Sequence, residues 1–330
     1  MLQYRSKWHC DGTNRPSKEG GLVMKRKIFT LLPVAALVLL LLPCASVARD
    51  IAPIVSTDWL QANLKNPKLV ILDVRRVEDY REGHIPGAVN AFYGAWAYMR
   101  DGMFASLPEK DDIDDTVGYF GIDFDSLVVV TGCMDTPRLS YQSARVACTL
   151  QYAGIKNVAL LDGGMNKWVL EKKPLSCRIE RRASKNFRGK YSGERFADKE
   201  YIKNNLGKLI LLDTREREFF SGEKKMDCIP KTGHIPGAFN MPTSCAFNDD
   251  KTFKTKEELA QIVEAAAGND RAAAIVTYCD IGQCCPTWAY LMTQVLGYTN
   301  VKLYAGAMQE WAQDPDAPVT KNNDASPADK

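Results

Sequence analysis

Cys279 is the residue whose surroundings could most readily do chemistry. It ends the apolar run A-A-I-V-T-Y and is followed by Asp280, Ile281, Gly282, Gln283, Cys284 and Cys285, with Pro286 opening a helical pattern. Proline suits the first position of a helix, where its missing N–H would have been unpaired. Gly282 lets the short loop curl its backbone N–H groups around a sulfur. A helix N-terminus adds positive potential at the same point, so both features favour thiolate over thiol. The residue would sit beyond the carboxyl end of a strand, where open α/β sheets bind their ligands. The bland alternative is a small buried residue packing a strand end. Cys133, at the end of V-V-V-T-G-C, is a possible second nucleophile, with the longer loop M-D-T-P-R-L-S after it.

Other chemistries have fewer candidates. The chain holds only three histidines, His9, His84 and His234, so Ser-His and Cys-His pairs are scarce. His84 and His234 both lie in G-H-I-P-G turns and are expected to cap backbone groups there. The ten cysteines are irregularly spaced and show no paired C-x2-C framework, so no metal site is expected. A phosphatase cradle needs C-x5-R, but Arg138 is one position too close to Cys133 and Cys285 stands at that offset from Cys279. Cys228 and Cys245 could form a disulfide outside the cytoplasm.

The elements that must position these residues come from an internal repeat. LVILDVRRVEDYREGHIPGAVNAF, from Leu69, is matched by LILLDTREREFF and then TGHIPGAFNMP, from Leu209. VVVTGC, ending at Cys133, pairs with AIVTYC, ending at Cys279. GIKNVALLDGGMNKW pairs with GYTNVKLYAGAMQEW, which sets Gly163 against Gly306 and Trp168 against Trp311; both tryptophans are read as core anchors. The β-branched runs predict buried parallel strands, and the patterns between them, such as TWAYLMTQVLG closed by Gly297, predict helices. An α/β class follows, with two tandem domains that each wrap helices around a central parallel sheet. The expected boundaries are 51–177 and 195–322. Residues 178–194 form a solvated, Lys/Arg-rich linker and 323–330 a polar tail.

In order, the D-x-R strand end, the GHIPGA segment, the strand-Cys-loop-helix and the closing Y-x-G-x-x-x-W resemble the rhodanese family over nearly the whole mature chain. The resemblance implies that a persulfide forms on the loop cysteine and passes to a thiophilic acceptor. It implies a working cysteine in the second domain, here Cys279, and a first domain that is mainly scaffold. Most tandem members have no cysteine where Cys133 stands. The expected partners are a small sulfur donor (thiosulfate, mercaptopyruvate or polysulfide) and an acceptor that is cyanide, a thiol or a protein. No metal or organic cofactor is implied.

Two departures bear on the donor. Thiosulfate-using members carry cations just after the nucleophile, where this chain has Asp280 and Ile281. The Gly, Ser and Thr typical of mercaptopyruvate-using members are also missing from the loop. Arg215 and Arg217 could supply positive charge for substrate binding, with Arg215 equally open to a fold-holding ion pair with Asp213. Cys284 and Cys285 either resolve a persulfide on Cys279 or merely fill small positions at the helix start. The rival to an enzyme is a tandem module that carries or senses reactive sulfur without turnover.

Composition adds exclusions. With 330 residues, 45% of them hydrophobic, and a net charge of +3, nothing points to nucleic acid. Met24–Lys27 reads M-K-R-K and precedes an apolar run over 28–43 and then CASVARD, the pattern of a secretory signal. Residues 1–48 are therefore read as leader and signal, with the true start at Met24 and cleavage after Ala48. That makes the product periplasmic or extracellular. The alternatives are an uncut anchor or lipidation at Cys44, either of which would hold the chain to a membrane.

Overall fold

The apolar runs become strands because both of their faces find a core. In the computed structural model, which describes residues 49–191 and 195–321, the first domain runs β1 (Ile54–Val55), α1 (Thr57–Asn63), β2 (Leu69–Asp73), α2 (Val77–Glu82) and β3 (Ala88–Asn90). A hairpin of β4 (Tyr98–Arg100) and β5 (Met103–Ser106) follows, then α3 (Lys110–Tyr119), β6 (Leu127–Thr131), α4 (Pro137–Ser140), α5 (Gln142–Tyr152), β7 (Val158–Leu161) and α6 (Gly164–Leu170). Within the five-stranded sheet every pairing is parallel, in the order β1-β7-β6-β2-β3. Strand side chains alternate between faces. Val70, Leu72, Val128 and Val130 join one core with Ala147 and Leu150 of α5, while Leu69, Ile71 and Val129 join another with Leu60 and Trp168.

The second domain repeats this plan. It runs β8 (Phe196–Ala197), α7 (Lys199–Asn204), β9 (Ile210–Asp213), α8 (Arg217–Ser221), β10 (Phe239–Asn240) and α9 (Lys256–Ala267). Then come β11 (Ile275–Tyr278), α10 (Cys285–Tyr290) with a π-helical continuation over 291–295, β12 (Val301–Tyr304) and α11 (Ala307–Trp311). The parallel order β8-β12-β11-β9-β10 is the same topology strand for strand. Even the helix starts correspond: Ser56 caps α1 and Asp198 caps α7, each side chain accepting a backbone N–H three residues on.

The GHIPGA histidines act structurally in both copies. His84 Nδ1 lies 2.7 Å from the Tyr80 carbonyl, and His234 Nδ1 lies 2.8 Å from that of Phe220; each ring stacks on the same residue. Trp168 and Trp311 are fully buried and donate to the carbonyls of Pro174 and Pro318, each at 2.8 Å. The Tyr290 hydroxyl ties the domains together by reaching the Pro53 and Val158 carbonyls at 2.8 and 2.7 Å.

The expected linker is largely exposed to solvent. It is extended, but it is strapped to the first domain: Lys185 and Lys190 donate their N–H groups to the Gly118 and Ala153 carbonyls, and Phe187 is 3% exposed within the core. The physical reason is that α3 and α5 leave an apolar surface that one aromatic side chain closes. Residues 1–48, with the expected signal, lie outside the described residues. Among those described, no helix is long and apolar enough to cross a membrane.

Candidate active site

Cys279 follows the last residue of β11 and is 1% exposed. Its carbonyl accepts the Met308 N–H at 2.9 Å, and the Asp280 carbonyl accepts that of Gln309 at 2.9 Å, so the turn into α11 holds the loop from above. That turn needs a left-handed residue, and Ala307 fills the place at φ 55°. Its counterpart in the first domain is Gly164 at φ 56°. Gly282 is left-handed too, at φ +73°, and a Cβ there would lie 2.5 Å from the Ala305 carbonyl oxygen. Only glycine fits. Helix α10 starts one residue earlier than expected, at Cys285, which leaves Pro286 in its second position. Pro286 would in any case offer no N–H, so the free donors of this helix start are the N–H groups before it.

Those donors meet Cys279. Burial by itself pushes the Cys279 thiol up. The thiols of Cys284 and Cys285 and the backbone N–H groups of both nonetheless hold it well below the ordinary thiol range. The two neighbours shift the other way. Cys284 is pushed well up by its hydrogen bond to Cys279 and by burial, and Cys285 by burial and then by the same contact. Cys284 also lies 3.5 Å from the Thr214 hydroxyl. Cys285 is fully buried at the first position of α10, and the Cys284 thiol donates to the Thr214 carbonyl at 3.9 Å. Ile281 and Gln283 are buried on either side of Gly282.

Asp280 is less hostile to an anion than its charge suggests. Burial raises its carboxyl to about 7, the Arg215 guanidinium opposes the rise, and negative charge on Cys279 adds to it. Arg215 takes the ion-pair alternative. Its Nε and Nη2 grip Asp213 at 2.9 and 2.6 Å, Nη2 also donates to the Gly233 carbonyl at 2.8 Å, and Nη1 reaches Asp280 at 3.2 Å. Its side chain is 3% exposed. Arg75 grips Asp73 and the Gly83 carbonyl in the same way in the first domain. Arg217 is exposed at the start of α8.

The sheet register corrects the pairing of Cys133 with Cys279. Asp73 lies opposite Thr131 in one sheet, and Asp213 lies opposite Tyr278 in the other. The N–H groups of Val74 and Thr214 bond those same partners, and Met165 and Met308 donate to the carbonyls of Gly132 and Cys279. Gly132 therefore occupies the place of Cys279, and Cys133 the place of Asp280. A Cβ on Gly132 would lie 2.8 Å from Ser143 Oγ and 3.0 Å from Val74 Cγ2, so the space for a sulfur is filled. Cys133 instead donates its thiol to Asp135 at 2.7 Å, and burial with that carboxylate pushes it up to about 11. A thiol held up in this way carries little thiolate at neutral pH. An open cleft of about 840 Å³ lies over it, lined by Arg75, Phe92, Asp135, Leu139 and Leu175.

Two first-domain residues carry no sequence motif yet approach the Cys279 loop. Arg145, on α5, is fully buried and donates to the Gly282 carbonyl at 2.8 Å and to the Ala105 carbonyl at 3.1 Å. Tyr141 is 8% exposed, and its hydroxyl is pushed up by burial and then by the nearby Cys284. A signal for Arg145 existed: it is the one cation in the otherwise uncharged stretch Q-S-A-R-V-A-C-T-L-Q-Y. Cys228 and Cys245 are both free thiols. Among the described residues no three His, Cys, Asp or Glu side chains are grouped to hold a metal ion.

The family model for the rhodanese-like domain matches residues 56–171 and again residues 198–314. A protein of Mycolicibacterium smegmatis, provisionally named a thiosulfate sulfurtransferase, is 32% identical over 275 residues, covering 81% of this chain and 96% of its own. The sulfur carrier protein TtuD of Thermus thermophilus is 32% identical over 293 residues, covering 82% and 97%. Among solved structures, the 3-mercaptopyruvate sulfurtransferase SseA of Escherichia coli superposes with a TM-score of 0.68 at 24% identity, over 78% of this chain and 98% of that one. At that identity the likeness speaks for the fold alone.

Proposed function

The chain belongs to the rhodanese family in both of its domains, and on that premise we propose that it is an exported sulfurtransferase that carries sulfur on Cys279. The Cys279 thiolate attacks the sulfane sulfur of a donor. With thiosulfate, the S–S bond of the donor breaks, sulfite leaves with the bonding pair, and a persulfide anion stays on Cys279. A thiophilic acceptor then attacks the outer sulfur, and the thiolate returns as leaving group; with cyanide the product is thiocyanate. The observation that carries this reading is the placing of one buried thiol, Cys279, directly after β11, where the left-handed turn at Gly282 leads into the helix that starts at Cys285. Such a setting stabilises negative charge on that sulfur at both ends of the cycle.

The donor class stays open among thiosulfate, mercaptopyruvate and polysulfide. Pairing of Asp280 with Arg215 lessens the repulsion an anionic donor would meet, but Arg215 is held by the fold and is not displayed to substrate. Export rests on the basic and apolar segment before Ala48, with the anchored and lipidated forms as its alternatives.

The test is steady-state sulfur transfer to cyanide by the mature protein with each of the three donors, beside Cys279→Ser. Turnover that the substitution removes supports the proposal. A second reading is carriage without turnover, favoured by the similarity to a protein named a sulfur carrier and by the 1% exposure of Cys279. In that case the protein gains the mass of one sulfur atom on Cys279 but turns over with none of the donors.

A further inference from the structure

The buried centre around Cys279 does not balance its charge with the residues of its own domain. Asp213 takes up the single positive charge of Arg215, which also meets Asp280, whose carboxyl is held up to about 7. The Cys279 thiolate adds another negative charge, and Cys284, Cys285 and Tyr141 face it as protonated groups. Arg145 comes from the other domain. It is 0% exposed, its Nη1 and Nη2 rest on two carbonyl oxygens, its Nε has no partner, and no carboxylate pairs with it among the described residues. A guanidinium taken out of water in this way needs an anion. The carbonyl it holds belongs to Gly282, in the loop that wraps Cys279, and it acts electrostatically on Cys285 and Cys148.

We infer that Arg145 is the counter-cation of the Cys279 thiolate, so that the first domain contributes a positioning residue to the site in the second. Arg145 touches neither donor nor acceptor. It acts through its charge and through the Gly282 carbonyl, which it holds at 2.8 Å in the loop that wraps Cys279. This gives the first domain an electrostatic part in the site despite its own Gly132 and the raised thiol of its Cys133. The inference rests on Cys279 being the reactive thiol but not on any particular sulfur donor.

The test reads the thiolate directly. The full mature protein is alkylated with iodoacetamide across a pH series, and modification of the Cys279 peptide is followed by mass spectrometry in wild type, Arg145→Gln and Arg145→Lys. Loss of the charge in Arg145→Gln should raise the pH midpoint by about one unit or more, a roughly tenfold smaller thiolate fraction below it. Arg145→Lys keeps the charge but cannot serve both carbonyls, so its midpoint should stay within about half a unit of wild type. A midpoint in Arg145→Gln equal to that of wild type would overturn the inference. So would an Arg145→Lys midpoint displaced as far as that of the Gln variant, because Arg145 would then only clamp the loop. If Arg145→Gln does not fold, Arg145→Met, which keeps the bulk without the charge, takes its place in both comparisons. A Cys279 that alkylates no more readily than the other cysteines in wild type would overturn the nucleophile reading and this inference together.

Discussion

The loop after β6 and the loop after β11 have the same place in the same topology, yet they treat a cysteine in opposite ways. In the second domain Cys279 directly follows the strand, and the chain turns at Gly282 into a helix that starts at Cys285. In the first domain that place is glycine, the cysteine comes one residue later, and its neighbour is the Asp135 carboxylate. From Gly132 to Gly154 is 22 residues and from Cys279 to Gly297 is 18, so the first loop is wider and its cleft open. One thiol is held well down and the other is pushed up to about 11. A shared fold therefore supplies the place but not the chemistry; a one-residue offset and the choice of neighbours decide that.

The widest difference should come from removing each sulfur. Cys279→Ser should lower steady-state sulfur transfer at least about a thousandfold, and Cys133→Ser should leave it within about twofold. A large loss in the Cys133 variant would break the comparison. Next are the two glycines. Gly282→Ala drives a Cβ against the Ala305 carbonyl at a left-handed position and should reduce unfolding free energy by about 2 kcal/mol or more in urea denaturation, with sulfur transfer falling alongside. Gly132→Ala meets Ser143 Oγ and should cost about 1–3 kcal/mol of stability while leaving transfer by the surviving folded protein unchanged.

Neighbour substitutions should move the two thiols in opposite directions. Cys284→Ala removes a donor and should raise the alkylation midpoint of Cys279 by about one unit, whereas Asp135→Ala removes an anion and should lower that of Cys133. Cys284→Ser separates the remaining role of that residue: if it resolves the persulfide, sulfide release stops while the persulfide still forms. The smallest effect concerns Asp280. Its folded carboxyl, at about 7, lies above the ordinary value of 3.8, so the folded state keeps a proton that the unfolded chain gives up. The stability this group contributes is full below about pH 4 and is lost as pH rises through 7. Asp280→Asn should flatten that part of the profile in thermal unfolding at stepped pH, and an unchanged slope would show that the group does not carry it.

Much of this was legible in the letters. The duplicated landmarks carried the fold, because strands buried on both faces must be apolar throughout and their helices must be capped. Cys279 stood out because Gly282 and Pro286 are what a tight turn into a helix requires. The Cys133 pairing failed for a definite reason: V-T-G-C and V-T-Y-C align by identity, but parallel strands are set by hydrogen bonds, and those place Thr131 with Tyr278. Arg145 was missed because a motif search looks along the chain, and this residue acts on a loop 137 positions away.

The strap between the domains has a practical meaning. A fragment cut at residue 177, where the repeat appears to end, would leave behind Phe187, the Gly189 N–H that meets Asp114 at 2.8 Å and the Tyr191 hydroxyl that meets the same carboxylate at 2.7 Å. The first domain would be left with an uncovered apolar trough and a buried acid short of donors. Anyone isolating that half should end it after Tyr191, since the segment that reads as a connector is the last piece of the domain it leaves.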